Sequence, residues 1–247
     1  MRRLATILLL CLLPLTAAAE TVVAALSQNR ISITANFDGS EIIVFGAIKR
    51  DAPAPDDDPL DVIVTVAGPE RVEVLRRKDR RLGIWVNVEA SVLGHAPTFY
   101  TVAATRDPHD ILPQLTDTLW KITPERRILP NLRGTPERDA LMRIRAREDL
   151  YTTRATSVHL SQDTLFQTAI ALPANLTEGA YTTRIFLLRG GEVIDSYSTA
   201  IDVQKVGIER WLYRLAHENS VFYALLALFV AAAFGWAASE AFRLLKR

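Results

Sequence analysis

The stretch from Leu165 to Gln204 decides the fold class, and it reads LFQTAIALPANLTEGAYTTRIFLLRGGEVIDSYSTAIDVQ. Apolar and β-branched residues fill 165–172 and 181–189, and the polar segment 173–179 separates the two runs. Gly190 and Gly191 then lead into a third run at 193–203. A glycine pair between two such runs is typical of a tight hairpin turn, so the stretch predicts antiparallel strands.

The segment before the second run has a recognisable pattern. Leu176, Gly179 and Tyr181 resemble the tyrosine corner of immunoglobulin-like sandwiches, in which the tyrosine hydroxyl bonds to backbone a few residues upstream. The alternative is a plain buried tyrosine. The pattern favours a β-sandwich.

Upstream of this stretch, a period of two also dominates from Thr21 onwards. Ile31 to Phe37 alternates with polar residues, Asp38-Gly39 suits a turn, and 41–48 is apolar, which predicts a hairpin. Short β-rich runs follow at 61–67, 71–75, 82–88 and 98–104. This spacing predicts a mainly β fold, an immunoglobulin-like β-sandwich over residues 20–204, without β-α-β alternation.

A helical insertion is predicted at about 106–155. Thr135 can cap a helix that has Pro136 at its first position, and Leu141, Ile144 and Tyr151 continue along one side. We expect the late strands to complete the sandwich begun by the early ones, because a lone hairpin cannot bury a face. Two separate β subdomains are the alternative.

The first 19 residues resemble a signal peptide. Arg2 and Arg3 precede the apolar run 4–15, and alanines fill 17–19, which gives the basic, apolar and small-residue regions of a cleaved leader. An uncleaved anchor helix is the alternative. Cleavage would remove Cys11, the one cysteine of the sequence, so the exported chain would have neither disulfides nor thiolate metal ligands.

A second apolar run, VFYALLALFVAAAFGWAAS at 221–239, contains no charge and is long enough to cross a bilayer as a helix. Arg243, Lys246 and Arg247 lie in the tail 240–247, and cations on this side favour the cytoplasm. We therefore expect a single-pass protein of the bacterial inner membrane, with a periplasmic N-terminal domain and a cytoplasmic C-terminus.

Two further features accompany this span. Residues 205–220 include Ile208, Trp211, Leu212 and Leu215 at helical spacing, which predicts an amphipathic juxtamembrane helix. Small residues recur every four positions within the span, a spacing that lets another helix approach closely in lipid. They are Ala227, Ala231, Gly235 and Ser239.

The best candidate for a contact site is a basic run that contains five cations and one acid. Like charges at this density need solvent or an anion, and arginine matches paired oxygens. The candidates are anionic membrane lipid, an acidic partner or a small oxyanion, with an exposed hairpin end as the alternative. The cations are Arg76, Arg77, Lys78, Arg80 and Arg81.

Catalytic and metal-binding patterns are missing from the sequence. It contains none of the common nucleophile, phosphate-loop, zinc-protease or dinucleotide motifs, and the four histidines lack ligand spacing. Asp56, Asp57, Asp58 and Asp61 suggest a solvated acidic loop. With 29 basic against 28 acidic residues, nucleic-acid binding is not expected. We expect no enzyme activity, no cofactor and no metal.

Several segments resemble an alphaproteobacterial family of transmembrane proteins of unknown function, exported and anchored by one C-terminal helix. They are LSQNRISI from Leu26, FGA at 45–47, RRKDRRLGIWVN at 76–87, FYTVAAT from Phe99, LPAN from Leu172 and VGIERWLYRLA from Val206. The resemblance transfers no active site. Members are often encoded beside sulfite-exporter-like permeases, so it implies an accessory role beside such an integral membrane protein. A periplasmic anion-binding module that uses the run at 76–81 is the alternative function.

Overall fold

The structure is a computed structural model that describes residues 20–34, 37–50, 58–206 and 208–245. The predicted signal peptide, and Lys246 and Arg247 of the predicted tail, lie outside the described residues. The described part is mainly β, as the sequence predicts. Its strands are β1 (Glu20–Leu26), β2 (Arg30–Ile33), β3 (Ser40–Arg50), β4 (Leu60–Ala67), β5 (Glu70–Arg81), β6 (Ile84–Pro97), β7 (Tyr100–Ala104), β8 (Tyr151–Arg154), β9 (His159–Ser161), β10 (Leu165–Leu172), β11 (Gly179–Arg189) and β12 (Glu192–Lys205).

Within the described residues, helices occupy two segments. Between β7 and β8 lie α1 (Pro108–Ile111), α2 (Gln114–Trp120), α3 (Pro124–Arg127), a 3-10 turn (Pro130–Leu132) and α4 (Pro136–Arg147). After β12 follow α5 (Ile208–Glu218) and α6 (Ser220–Leu245).

Two sheets enclose one hydrophobic core. The first has the strand order β1-β3-β10-β9, and the second has the order β2-β12-β11-β4-β7-β8. Alternate residues of β10 are buried, so one face of the first sheet points inward. Every residue of β4 is buried, because the first sheet covers one face of the second sheet and the helices between β7 and β8 cover the other.

The late strands pair with the early strands in both sheets. β10 is antiparallel to β3, β11 is antiparallel to β4, and β12 is parallel to β2. The predicted hairpin over 31–48 is therefore wrong, since β2 and β3 belong to different sheets. Strand β1 lies beside β3 instead. The alternation of apolar and polar residues along a strand does not indicate which distant strand will pair with it.

The segment before β11 makes the contact predicted for a tyrosine corner. The hydroxyl of Tyr181 donates a hydrogen bond to the carbonyl oxygen of Thr177 at 2.8 Å. Both Tyr181 and Leu176 are buried. The immunoglobulin-like arrangement of the whole sandwich stays a prediction.

The helix at 136–147 begins as predicted and ends earlier than expected. The Thr135 hydroxyl accepts a hydrogen bond from the backbone N–H of Arg138, and Pro136 opens the helix. Asp149 then adopts a left-handed conformation, with φ of 57°, and Tyr151 begins β8 instead of extending the helical face. Since β8 is parallel to β7, the helices form a crossover between two neighbouring parallel strands, a unit that the sequence did not reveal.

Asp61 belongs to β4 and is buried, so its predicted place in a solvated acidic loop is wrong. Its carboxylate accepts hydrogen bonds from the Thr105 hydroxyl at 2.7 Å and from Arg106 Nε at 3.0 Å. Asp56 and Asp57 lie outside the described residues. The polar partners explain why this aspartate is tolerated in a buried strand.

Candidate functional site: the β5–β6 hairpin and the apolar helix

The predicted basic run lies inside a long β-hairpin. The sequence suggested two short runs, at 71–75 and 82–88, whereas β5 has 12 residues and β6 has 14. These strands form a two-stranded sheet of their own. All five cations of the run are exposed, near the far end of β5.

The two faces of the hairpin differ in how their charges are paired. Side chains alternate between faces along a strand, so Arg77, Asp79 and Arg81 share one face. On this face Arg77 lies 3.1 Å from Glu89 and Arg81 lies 3.7 Å from Asp79. These pairs are fully solvated and contribute little to stability. They do satisfy the charges locally.

The opposite face is the cationic face, which we define as Val74, Arg76, Lys78, Arg80, Trp85 and Val92. Arg80 pairs with Trp85 across the two strands, and Val74 pairs with Val92. Within the described residues, the side chains of Arg76, Lys78 and Arg80 have no hydrogen bond or ion pair. Trp85 is 69% exposed. This ring therefore faces the solvent and not the core.

The hairpin turns at Leu82 and Gly83. Both have positive φ, 51° and 85°, as a type I′ turn requires. Asn-Gly is the favoured pair in such a turn, because a left-handed conformation is unfavourable for a residue with an ordinary side chain. Leu82 is nevertheless used, and its side chain is completely exposed, at 105%.

The base of the hairpin is fixed to the helices. Arg127 of α3 donates to Glu70 at 2.6 Å, and Arg145 of α4 donates to Glu73 at 2.7 Å. The hydroxyl of Tyr151 donates to the carbonyl oxygen of Pro97 at 2.6 Å. Burial raises the pKa of Tyr151, which keeps this hydroxyl protonated. The base is therefore held in place, while residues 74–81 continue beyond it for roughly 26 Å.

The hairpin leaves the sandwich at the end where the chain departs for the apolar helix. We call this the exit end, defined by Val203 to Lys205 at the end of β12. Val203 pairs with Gly179, and a Cβ atom added to Gly179 would lie 3.0 Å from Cγ of Pro69. Pro69 directly precedes β5, and two residues separate β12 from α5. Both segments thus start from the same end.

The apolar part of α6 is long enough to cross a membrane. It covers Ser220–Ser239, 20 residues with a mean hydropathy of 2.1, and none of it is buried against the rest of the described chain. The small residues Ala227, Ala231, Gly235 and Ser239 are exposed along it. A Cβ atom added to Gly235 would meet nothing within 4 Å, as at other positions of this exposed helix.

The described residues include no group of three His, Cys, Asp or Glu side chains that could hold a metal ion. His95, His109 and His159 are exposed. The ring of His217 stacks on that of Tyr213, with centroids 4.0 Å apart. Among the described residues, the chemically distinctive feature of the surface is the set of cations without acidic partners on the cationic face.

Sequence reasoning missed the apolar part of the hairpin. The predicted strand at 82–88 is correct from Ile84, where β6 begins, but Leu82 lies in the turn and both residues are exposed. A signal was present, because Gly83 lies between the charged run 76–81 and the β-rich residues from Ile84 onwards, where a tight turn is possible. The basic residues between the runs hid it, because charge clusters usually mark loops.

Comparison with known proteins identifies a family that covers nearly the whole chain. The family described as "Putative transmembrane protein (Alph_Pro_TM)" matches residues 21–244. No curated protein matches the chain. Among solved structures, the sporulation control protein Spo0M from Bacillus subtilis is similar at 11% sequence identity and a TM-score of 0.32, over 82% of this chain and 56% of that chain. The chain thus spans little more than half the length of that protein.

Proposed function

The chain belongs to the Alph_Pro_TM family of transmembrane proteins, and we propose that this member is a non-enzymatic accessory subunit of an envelope complex. Its β-sandwich would lie on the periplasmic side of the bacterial inner membrane. Its partner would be an integral membrane protein, with a sulfite-exporter-like permease as the first candidate. The small-residue side of α6, formed by Ala227, Ala231, Gly235 and Ser239 at four-residue spacing, carries this proposal.

The physical reason lies in how helices associate in lipid. Lipid tails are as apolar as leucine, so close backbone packing at small residues drives helix association. Residues 231 and 233 are about 200° apart around a helix of 3.6 residues per turn. Ala233 therefore points away from the small-residue side, and it offers a matched control for Ala231.

The test is co-purification from native membranes in mild detergent, after crosslinking. We expect a multi-span protein to accompany the wild-type chain, and Ala231→Leu with Gly235→Leu to reduce its recovery, whereas Ala233→Leu leaves recovery unchanged. Capture of the chain alone, or equal loss in both variants, would count against a partner on this side.

The orientation has its own support and its own test. Arg243 follows the span, and cations favour the cytoplasmic side. Protease added to spheroplasts should degrade the β-sandwich and leave the C-terminal tail. Degradation of the tail alone would reverse the orientation.

A second candidate function is anion binding by the cationic face. Arg76, Lys78 and Arg80 lack acidic partners among the described residues, and this observation favours it. Calorimetry of the full chain in detergent with sulfite, sulfate and phosphate tests it. Binding heat that disappears in the variant R76Q/K78Q/R80Q would support the function, and no heat with any of the three anions would discard it.

A further inference from the structure

The hairpin tip combines cations with exposed apolar side chains. Leu82, Ile84 and Trp85 are largely exposed, and the unpaired cations Arg76, Lys78 and Arg80 lie within a few residues of them. A small oxyanion in water would occupy the cations and leave the apolar side chains in contact with solvent. The surface of an anionic bilayer supplies phosphates to the cations and an apolar layer to the side chains.

The residue types suit such a surface. Tryptophan prefers the headgroup level of a membrane, and long arginine and lysine side chains can lie along apolar surface while their charges reach the phosphates. Leu82 occupies a position where asparagine or glycine would be less strained. An unfavourable backbone conformation that presents a fully exposed leucine at the apex points to a contact outside the domain.

The position of the hairpin in the fold brings it towards the bilayer. It starts at the exit end, where Pro69 lies against Gly179 and Gly179 pairs with Val203. The chain passes from this same end into α5 and the membrane-crossing part of α6. Since Glu70 and Glu73 are held by α3 and α4, the free part of the hairpin extends outward from a fixed base.

We propose that the tip of the β5–β6 hairpin inserts Leu82 and Trp85 into the headgroup region of the membrane that α6 crosses. Arg76, Lys78 and Arg80 then bind the phosphates of anionic lipids. This inference deepens the second candidate function and rests on it, because the same three cations bind the anion. It names the anion as lipid phosphate in a bilayer rather than a free ion.

The test places a fluorescent reporter at the tip of the full chain in lipid nanodiscs. The variant C11S/L82C carries one thiol, to which an environment-sensitive fluorophore is attached. The control is C11S/L115C, because Leu115 is also largely exposed, at 71%, and neighbours Thr116. The Thr116 hydroxyl donates to Gly191 in the β11–β12 turn, at the end opposite the exit end.

In nanodiscs that contain phosphatidylglycerol, we expect the emission at position 82 to shift to shorter wavelength and to be quenched by brominated lipid. The label at position 115 should do neither. Quenching at position 82 should fall in phosphatidylcholine nanodiscs and when R76Q/K78Q/R80Q is added. It should persist with R133Q/R143Q/R154Q, which removes three exposed cations elsewhere.

Absence of quenching at position 82 in anionic nanodiscs, or equal quenching at both positions, would overturn the inference. Quenching that R76Q/K78Q/R80Q leaves unchanged would overturn the role of the cations. Calorimetry with inorganic phosphate separates the lipid contact of the tip from anion binding by the cationic face. Binding heat without quenching refutes the lipid contact and retains anion binding, whereas absence of both refutes both.

Discussion

The side chain of Glu20 accepts a hydrogen bond from Arg189 at 2.9 Å, although the two residues lie 169 positions apart in the sequence. Arg50 donates to the same carboxylate at 2.7 Å. All three side chains are largely buried. One carboxylate thus joins the start of β1 to the ends of β3 and β11, and ties the two sheets together.

Replacing Glu20 by Ala should destabilise the domain strongly, because two buried guanidinium groups would lose their carboxylate and keep only neutral oxygen acceptors, such as the carbonyls of Asp163 and Asp58. Removing one member of a buried ion pair costs about 3–5 kcal/mol. Thermal unfolding of the full chain in detergent measures this. Glu192→Ala, at an exposed position, is the control, and an equal, small effect of both substitutions would show that the cluster adds nothing.

Gly46 should not accept a larger residue. A Cβ atom there would lie 2.5 Å from the carbonyl oxygen of Val23 and 2.6 Å from the ring of Phe166. Overpacking of this kind costs about 1–3 kcal/mol or more, so Gly46→Ala should lower the melting temperature. Gly235→Ala, which meets open space, should not, and tolerance of both would contradict the close packing.

The stability of the folded domain should fall as pH rises above about 10, which is the usual pKa of tyrosine. Burial raises the pKa of Tyr181 to about 12 and also raises the pKa of Tyr100 and Tyr151. As pH rises, the tyrosine hydroxyls therefore lose their protons in the unfolded chain before they do so in the folded chain. The contribution of these protonated tyrosines to the free energy of unfolding is complete below the pKa of the unfolded chain, and it disappears as pH rises through the pKa of the folded chain. Melting temperatures from pH 8 to 12 measure this loss, and Tyr181→Phe should make the decline shallower.

Leu82→Asn should stabilise the isolated chain while weakening its membrane contact. A left-handed conformation costs an ordinary residue about 1–2 kcal/mol, and asparagine tolerates it better. We expect a rise of up to about 1 kcal/mol in unfolding free energy, or roughly 2–4 °C in melting temperature. Binding to anionic vesicles should decrease in the same variant. A stabilised variant that binds vesicles like the wild type would argue against insertion of this leucine.

Local patterns in the sequence were informative where structure depends on neighbours along the chain. The turn at Gly190-Gly191, the Thr135 cap and the Tyr181 contact all follow from residues within a few positions of one another. The apolar helix at 221–239 was equally clear, because its signal is continuous. These features account for the correct fold class.

Pairing between distant strands could not be predicted in the same way. The parallel pair of β2 with β12 and the crossover from β7 to β8 depend on which strands compete for each sheet position. The cationic face was missed for a related reason. The alternation of paired and unpaired cations becomes visible only when the register of β5 with β6 is known.

The order of strands also has a consequence for biogenesis. Val44 pairs with Thr168, and Val64 pairs with Ile185, so neither sheet can close until the last third of the polypeptide has emerged. Until then β3 has only β1 beside it and β4 has only β7, and each keeps one unpaired edge, a situation that slows folding and invites aggregation. The exposed edges of β3 and β4 are therefore covered only after β10 and β11 have been synthesised.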